Sequence, residues 1–516
     1  MSKLAEHGAQ QGDKPALIDA ETDTVMTFAE LDRRSVRCAR LLRSEGLAFG
    51  DHIAVMTENL PDTLVVAWAA LRSGLYLTPV NWHLTADEAR YIVEDCMAKW
   101  LLISPGVGEV AAELDAALDA GVSRWTLGGP HGRFRSLEEG LAAMSDEPLE
   151  EELQGELMFY SSGTTGRPKG ILRPLEPRAA DSEPNPLGLL MAGLYGFDEN
   201  TVYLCPAPLY HAAPLAWSLA VQRLGGTVVL MRRFDAARAL EYIDRYRVNR
   251  AQFVPTMFVR MLKLPAEERA RYDVSSLEAV IHAAAPCPVD VKQAMLEWWG
   301  PIIHEYYAGS EGGGFVACGP EEWLEHPGTV GRAIQGQIHV VGEDGEDLPP
   351  GEVGIVYFEG GADFEYHGDP EKTRETYNDR GWHTLGDMGY LDDQGYLFLT
   401  DRQSHMIISG GVNIYPQEAE NLLTGHDEVL DVAVIGVPHP DYGEEVKAVV
   451  QLLDPAKAGP EMELTLIDYC RAHLSKYKCP RSVDFASELP RLPTGKLLKR
   501  RLRDQYWGDG EKRIVS

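Results

Sequence analysis

Ser161-Ser162-Gly163-Thr164-Thr165-Gly166-Arg167-Pro168-Lys169-Gly170 packs the means of holding a polyphosphate into ten residues. Its glycines free the backbone to curve and expose N–H groups, its hydroxyls add donors, and Arg167 and Lys169 add positive charge. The apolar run Leu157-Met158-Phe159-Tyr160 before it reads as a buried strand, and Ile171-Leu172 after it opens another. This predicts a strand–loop–strand rather than a strand–loop–helix. The P-loop pattern requires Gly, four residues, then Gly-Lys-Ser/Thr; here the spacing differs and Gly170 follows Lys169. A flexible Gly/Ser/Thr linker is the plain alternative, but few linkers carry paired basic residues beside an apolar strand.

Outward from this loop, a chain of 516 residues exceeds one ordinary core, and two or three subdomains are expected. Apolar residues at 44% and charged ones at 25% describe a soluble globular protein. A net charge of −31 argues against a broad surface for nucleic acid or anionic membrane, so a polyanionic ligand must find a local basic patch. The N-terminus carries no basic-then-apolar signal, and no apolar run approaches the roughly 18 residues of a membrane span. A cytoplasmic location without integral membrane association is therefore expected. The seven scattered cysteines contain no Cys-x-x-Cys, which disfavours disulfides and a zinc site.

Along the first 150 residues helical and strand patterns alternate, predicting layered α/β architecture with mainly parallel strands. Thr27-Phe28-Ala29-Glu30 and Thr85-Ala86-Asp87-Glu88 read as capping boxes, with a strand at 53–56 and a helix at 63–71 between them. No catalytic cluster stands out there. Pro206-Ala207-Pro208-Leu209-Tyr210-His211 reads as a strand end leading into an apolar helix, and by chemistry alone His211 suits either a pocket or a helix cap. Residues 277–281 read as a strand, His282-Ala283-Ala284-Ala285-Pro286-Cys287-Pro288 as a tight small-residue turn, and 289–299 as a helix. A strand at 302–307 then runs into Ala308-Gly309-Ser310-Glu311. Small residues such as Ala284 let backbone approach a flat ligand, and an aromatic at a strand end can stack on a purine. From 328 to 399, short strands with Gly-Pro and Asp-Gly turns suggest a small β-rich subdomain ending in Trp382-His383-Thr384-Leu385-Gly386-Asp387. The remainder reads as a compact α+β domain. It holds Ser409-Gly410-Gly411-Val412-Asn413, a helix begun by Pro416, strands at 432–437 and 446–453, and the loop Pro490-Arg491-Leu492-Pro493-Thr494-Gly495-Lys496 before a basic stretch.

Taken in order, these motifs resemble those of the adenylate-forming (AMP-binding) enzymes, which include acyl- and aryl-CoA synthetases, peptide-synthetase adenylation domains and firefly luciferase. The likeness spans nearly the whole chain and is greatest to bacterial acyl-CoA synthetases of the fatty- or steroid-acid type. It implies a large N-terminal domain, 1–403, of layered α/β subdomains plus the β-rich one, and a small mobile C-terminal α+β domain, 404–516. It implies an ATP-dependent ligase of fatty acid metabolism that converts a carboxylic acid to acyl-AMP and then to acyl-CoA, with Mg²⁺, releasing pyrophosphate and AMP. The substrates implied are a small-molecule acid, ATP and coenzyme A. A homodimer is compatible with it.

The resemblance also implies roles. Ser161, Ser162, Gly163, Thr164, Thr165, Gly166 and Lys169 handle phosphates; Tyr307 stacks on adenine; Ser310 contacts the α-phosphate; Glu311 holds magnesium; Ala284 is a cofactor-binding candidate from its small size alone. Asp387 takes the ribose hydroxyls, Arg402 contacts the nucleotide, His211 lies at the mouth of the acid pocket, Lys496 drives adenylation, and Gly410 and Gly411 line a pantetheine channel. Ala308 and Ser310 depart mildly from the family's Tyr-Gly-x-Thr-Glu pattern, while Ser404 at the hinge and His405 beside it depart clearly from the usual charged residues. Transfer to an amine or a carrier-protein thiol, an oxidase of the luciferase kind, and a catalytically silent nucleotide-binding regulator are the alternatives; the last is disfavoured by the presence of Lys169, Glu311, Asp387, Arg402 and Lys496.

Overall fold

The computed structural model of the protein describes residues 2–161, 168–402, 405–410, 412–491 and 497–507. The apolar run at 157–160, expected as one strand, is shared between two sheets. Glu156–Leu157 joins a parallel sheet, whereas Phe159–Ser161 pairs antiparallel with Lys169–Leu172, Lys169 opposite Ser161 and Gly170 opposite Tyr160. The strand–loop–strand expectation therefore holds for both flanks, while 162–167 lie outside the described residues. Gly170 is closely packed: a Cβ there would stand 2.2 Å from Met158 Cε and 3.1 Å from Tyr160 Cζ, so the Met158 side chain would have to move aside.

By contact the described residues form two compact units. The first takes residues up to 253 together with 264–281 and 363–373; the second takes 254–263, 282–362 and the chain from 374 onward.

In the first unit one sheet runs in the order Arg135–Ser136, Ser123–Thr126, Ala98–Ile103, His52–Met56, Tyr76–Pro79, Glu156–Leu157, every neighbouring pair parallel. A second sheet sets Arg250–Phe253, Val202–Cys205, Thr227–Leu230 and Pro15–Asp19 parallel, with Thr24–Thr27 antiparallel beside the last. Strands covered on both faces read as near-continuous apolar runs rather than alternating ones, and His52–Met56 and Thr227–Leu230, apolar after their first residue, are buried at every position. The helix Pro61–Leu71 is buried from Thr63 to its end, as an all-round apolar helix must be, and Trp68 Nε1 donates to Gln222 Oε1 at 2.7 Å. Thr85 and Glu88 form the expected capping box. At Thr27 only half of it forms: the hydroxyl accepts from Glu30 N, but Thr27 ends a strand in register with Pro15–Asp19.

The second unit contains the antiparallel set Ile303–Ala308, Phe315–Cys318 and Arg332–Gln335, and the helix Val289–Trp299. The expected β-rich region is a four-stranded antiparallel sheet in the order Gln337–Val341, Gly354–Glu359, His383–Leu391, Leu397–Arg402. The C-terminal α+β region is a mixed sheet of Val412–Ile414, Ile407–Ser409, Gly443–Leu452 and Val429–His439, with Ser482–Phe485 parallel to Gly443–Leu452. Residues from the helices Pro416–Thr424 and Pro460–His473 share one buried cluster with this sheet, including Leu423, Val434, Val450 and Leu466. Pro416 stands at the start of its helix, as expected. Among the described residues no helix is long and apolar enough to cross a membrane.

Candidate active site

Within the second unit, the strand pair His383–Leu391 and Leu397–Arg402 sets Asp387 directly opposite Arg402. Arg402 Nε stands 3.0 Å from Asp387 Oδ1, and the Tyr307 hydroxyl, near the end of Ile303–Ala308, donates to Asp387 Oδ2 at 2.7 Å. Three residues expected to handle the nucleoside are thus brought together around one carboxylate that is 7% exposed. The physics of the group is mutually consistent. Asp387 raises the Arg402 guanidinium above its ordinary value, against the effect of burial; burial, then the Asp387 charge, lift the Tyr307 hydroxyl well above its usual range.

Ser310 and Glu311 follow in a half-buried turn, and the Glu311 charge acts on both Tyr307 and Arg402. Gly309 is closely approached: a Cβ there would lie 2.4 Å from Leu385 Cδ2 and 2.8 Å from Glu311 Oε2, so both side chains would have to shift. Gly313 and Gly314 are more tightly constrained, since a Cβ on Gly313 would meet the His383 ring at Nδ1, 2.2 Å away, and one on Gly314 would meet the Phe358 ring at Cδ1, 2.2 Å away. That Gly312-Gly313-Gly314 run was a legible signal of close packing beside the site, and the motif reading passed over it. Ala284 sits exposed with φ +74°, a left-handed conformation that costs a residue with a Cβ and that clusters at ligand-binding turns.

The strand that carries Tyr307 also carries one member of a buried polar cluster that sequence reasoning missed. Lys292 Nζ stands 2.6 Å from Glu305 Oε2, and His282 Nε2 stands 3.3 Å from the same oxygen. Burial pushes the Glu305 carboxyl up while Lys292 pulls it back, and burial, then Lys292, hold His282 well below its ordinary value. A second such cluster joins Asp401, His405, Glu420 and Lys499, with Lys499 Nζ 2.9 Å from Glu420 Oε1 and His405 Nδ1 3.3 Å from Asp401 Oδ1. Gly410, with φ +59°, donates its N–H to Tyr442 O at 2.9 Å.

In the first unit, Ser161 and Lys169 face each other across the hairpin, and Lys169 Nζ lies 2.5 Å from Asp369 Oδ2. That bond draws the Asp369 carboxyl below its usual range. Asp369 is a partner the motif reading did not foresee. His211 occupies the N-cap position of Ala212–Arg223, yet its side chain makes no capping bond, and its ring lies 4.4 Å from that of Tyr210. Of the two roles open to His211, side-chain capping is not the one it adopts. The remaining expected site residues, Ser162, Gly163, Thr164, Thr165, Gly166, Gly411 and Lys496, lie outside the described residues, as does Ser404.

Residues 4–364 match the family described as AMP-binding enzyme, and residues 418–496 match the AMP-binding enzyme C-terminal domain. A feruloyl-CoA synthase of Amycolatopsis sp is 34% identical over 490 residues, covering 94% of each chain. The long-chain-fatty-acid–CoA ligase FadD13 of Mycobacterium tuberculosis is 32% identical over 504 residues, covering 95% of each. Among solved structures, ATP-bound MatB from Rhodopseudomonas palustris superposes with a TM-score of 0.80 at 29% identity, covering 98% of each chain.

Proposed function

The chain belongs to the AMP-binding enzyme family, and from that premise we propose that it is an AMP-forming acid–thiol ligase which activates a carboxylic acid with ATP and passes the acyl group to coenzyme A. A free carboxylate is a poor electrophile because attack on it would have to expel oxide. In the first half-reaction a carboxylate oxygen bonds to the α-phosphorus, the bond from that phosphorus to the bridging oxygen breaks, and pyrophosphate leaves. In the second, the thiol sulfur bonds to the acyl carbon, the bond to the AMP oxygen breaks, and the thiol proton passes to solvent.

The assembly of Tyr307, Asp387 and Arg402 supports this reading most. Each Asp387 oxygen keeps lone-pair capacity beyond its bond to Tyr307 or Arg402, so the carboxylate is oriented and still able to accept from two ribose hydroxyls. We assign the Tyr307 ring to adenine, the Arg402 guanidinium to the nucleotide, and Ser310 to the α-phosphate. Ala284 and Gly309 keep backbone open to the ligand. Lys169 and the loop that begins at Ser161 take the outer phosphates, with Lys169 exchanging Asp369 for phosphate oxygens. His211 places the acid; it need not remove a proton, because the carboxylate is already the nucleophile. Catalysis of the first step is positioning and charge neutralisation, to which Lys496 contributes.

A magnesium ion fits as a companion of the phosphates. Among the described residues no three His, Cys, Asp or Glu side chains cluster to cage a metal, and Glu311 is a single half-buried carboxylate, the donor set Mg²⁺ takes when phosphates fill its other positions. When bound, the ion would neutralise phosphate charge.

We place the functional boundary between 403 and 404, where the strand ending at Arg402 leaves one sheet and Ile407–Ser409 enters another. Rotation about that boundary would exchange Lys496 for the Gly410–Gly411 segment between half-reactions. A cytoplasmic homodimer belongs to the same proposal, testable by cell fractionation and gel filtration.

The test is a panel of acids, including a long-chain fatty acid and ferulate, assayed for pyrophosphate release with and without CoA, with products identified by mass. Acid-dependent pyrophosphate and a CoA thioester are expected. Pyrophosphate with no thioester, but with an amide or an acylated carrier protein when those acceptors are supplied, would move the second step to the alternative acceptor. No acid-dependent pyrophosphate from any acid would overturn the reading.

A further inference from the structure

Arg402 and Asp401 are neighbours on the strand Leu397–Arg402, so their side chains leave opposite faces. Arg402 faces Asp387 and the candidate nucleotide site. Asp401, 8% exposed, faces the C-terminal residues: Gln417 N donates to its Oδ2 at 3.1 Å, and His405 Nδ1 lies 3.3 Å from its Oδ1. Lys499, 8% exposed, opens the short helix Lys499–Arg503 and pairs with Glu420, itself 6% exposed on Pro416–Thr424. Glu420 is fixed in turn by accepting from Val434 N at 2.7 Å.

Charge accounts for the grouping. Two buried carboxylates, Asp401 and Glu420, share the neighbourhood of one buried ammonium. Burial pushes the Asp401 carboxyl up, but Lys499 and His405 outweigh it and hold it below its ordinary value; burial pushes Glu420 up, with Lys499 opposing. A buried ammonium is costly unless it sits against such a partner, so the segment bearing Lys499 is tied to Glu420 on Pro416–Thr424, the helix whose Gln417 N bonds to Asp401 on the back of the Arg402 strand.

The chain on the other side of Lys496 is pinned as well. Arg491 makes two bonds to Asp431, from Nε at 2.5 Å and Nη2 at 2.6 Å, Arg491 bridges to Leu497, and Leu498 N donates to Pro490 O at 2.7 Å.

We propose that Lys499 is a positioning residue for the adenylation half-reaction: paired with Glu420, on the helix whose Gln417 N bonds to Asp401, it holds the chain that follows Lys496 to the strand that carries Arg402. The inference rests on the functional reading above. It assigns Lys499 no contact with substrate. Its consequence is a split between half-reactions, because Lys496 serves only the first.

The test compares Lys499→Met, Lys499→Arg and Glu420→Gln with wild type, using the acid that wild type turns over fastest. Adenylation is read as acid-dependent exchange of pyrophosphate into ATP, and thioester formation as single-turnover reaction of supplied acyl-adenylate with CoA. Displacement of a reacting group by about 1 Å costs on the order of 100-fold, and that loss is expected in adenylation for Lys499→Met. Thioester formation should stay within about twofold, and Lys499→Arg, which keeps the cation, should recover most of the rate. If Lys499→Met fails to fold, Glu420→Gln decides, since it keeps side-chain volume and the acceptor for Val434 N while removing the charge; it should show the same split in a protein of near-wild-type melting temperature. Equal loss in both half-reactions, loss in the second alone, or no loss in either would overturn the inference. Wild-type protein without acid-dependent exchange would overturn the functional reading, and this inference with it.

Discussion

Tyr307→Phe separates two uses of one side chain. The ring, assigned to adenine, is retained; the hydroxyl, which donates to Asp387 Oδ2 at 2.7 Å, is lost. A buried hydrogen bond to a charged acceptor contributes about 1.5–3 kcal/mol. The loss is divided. Asp387 keeps its contact with Arg402 through Oδ1, so the carboxylate loses one of two restraints rather than both. Part of the energy therefore appears as reduced stability, and about 1.4 kcal/mol is expected in nucleotide binding, a KM for ATP raised about tenfold. The kcat should stay within about threefold, because the contact is uniform between ground and transition states. The assay is pyrophosphate exchange at varied ATP with saturating acid, run also on Asp387→Asn and on the double variant. The two changes should be non-additive by about 1 kcal/mol or more in KM, as for any pair in one hydrogen-bonded group. An unchanged KM for ATP in Tyr307→Phe, or additive effects in the double variant, would show that the bond holds the fold together and does not orient a ribose-binding carboxylate.

Three further outcomes are expected. Lys496→Ala should abolish acyl-adenylate formation while leaving thioester formation from supplied adenylate largely intact; equal loss in both would remove the case for two domain orientations. Glu311→Gln should weaken use of MgATP and be partly rescued by added Mg²⁺, whereas an adenylation rate indifferent to both would make Glu311 a surface carboxylate. His383 is buried, and burial lowers its imidazole to about 4 from 6.5. The unfolded chain then binds more protons than the folded one between those values, so its contribution to stability is complete above pH 6.5, falls as the pH drops towards 4, and amounts to about 3 kcal/mol at most. Denaturant unfolding at pH 7 and pH 5 should show a smaller loss for His383→Gln than for wild type, and equal losses would refute the assignment.

What was legible in the chain was whatever is written locally. The helix expected at 289–299 appears as Val289–Trp299 because Pro288 and Gly300 bound an apolar pattern of helical period. The phosphate-type loop announced its own flanks, and Lys169–Leu172 pairs with Phe159–Ser161 as its apolar neighbours required. Where local patterns compete, they misled: Met158 continues an apolar run, but the strands on either side of it belong to different sheets, and hydrophobicity does not distinguish them.

The site divides along the same line. Asp387 and Arg402 could be named from motifs, and their meeting follows from strand register, which no single motif encodes. The buried clusters were harder still. Glu305 and Lys292, or Glu420 and Lys499, are ordinary charged residues in sequence, and the usual reading of such residues is a solvated surface. Only the fold reveals that they are buried, and only burial turns each pair from a weak surface contact into a constraint on where its segment can sit. Removing one partner should therefore act through the segment it carries: for Glu305 the strand that ends near Tyr307, for Lys499 the chain that follows Lys496. The residues assigned to ligand are thus named from type and motif, whereas the buried pairs beside them are readable only from depth.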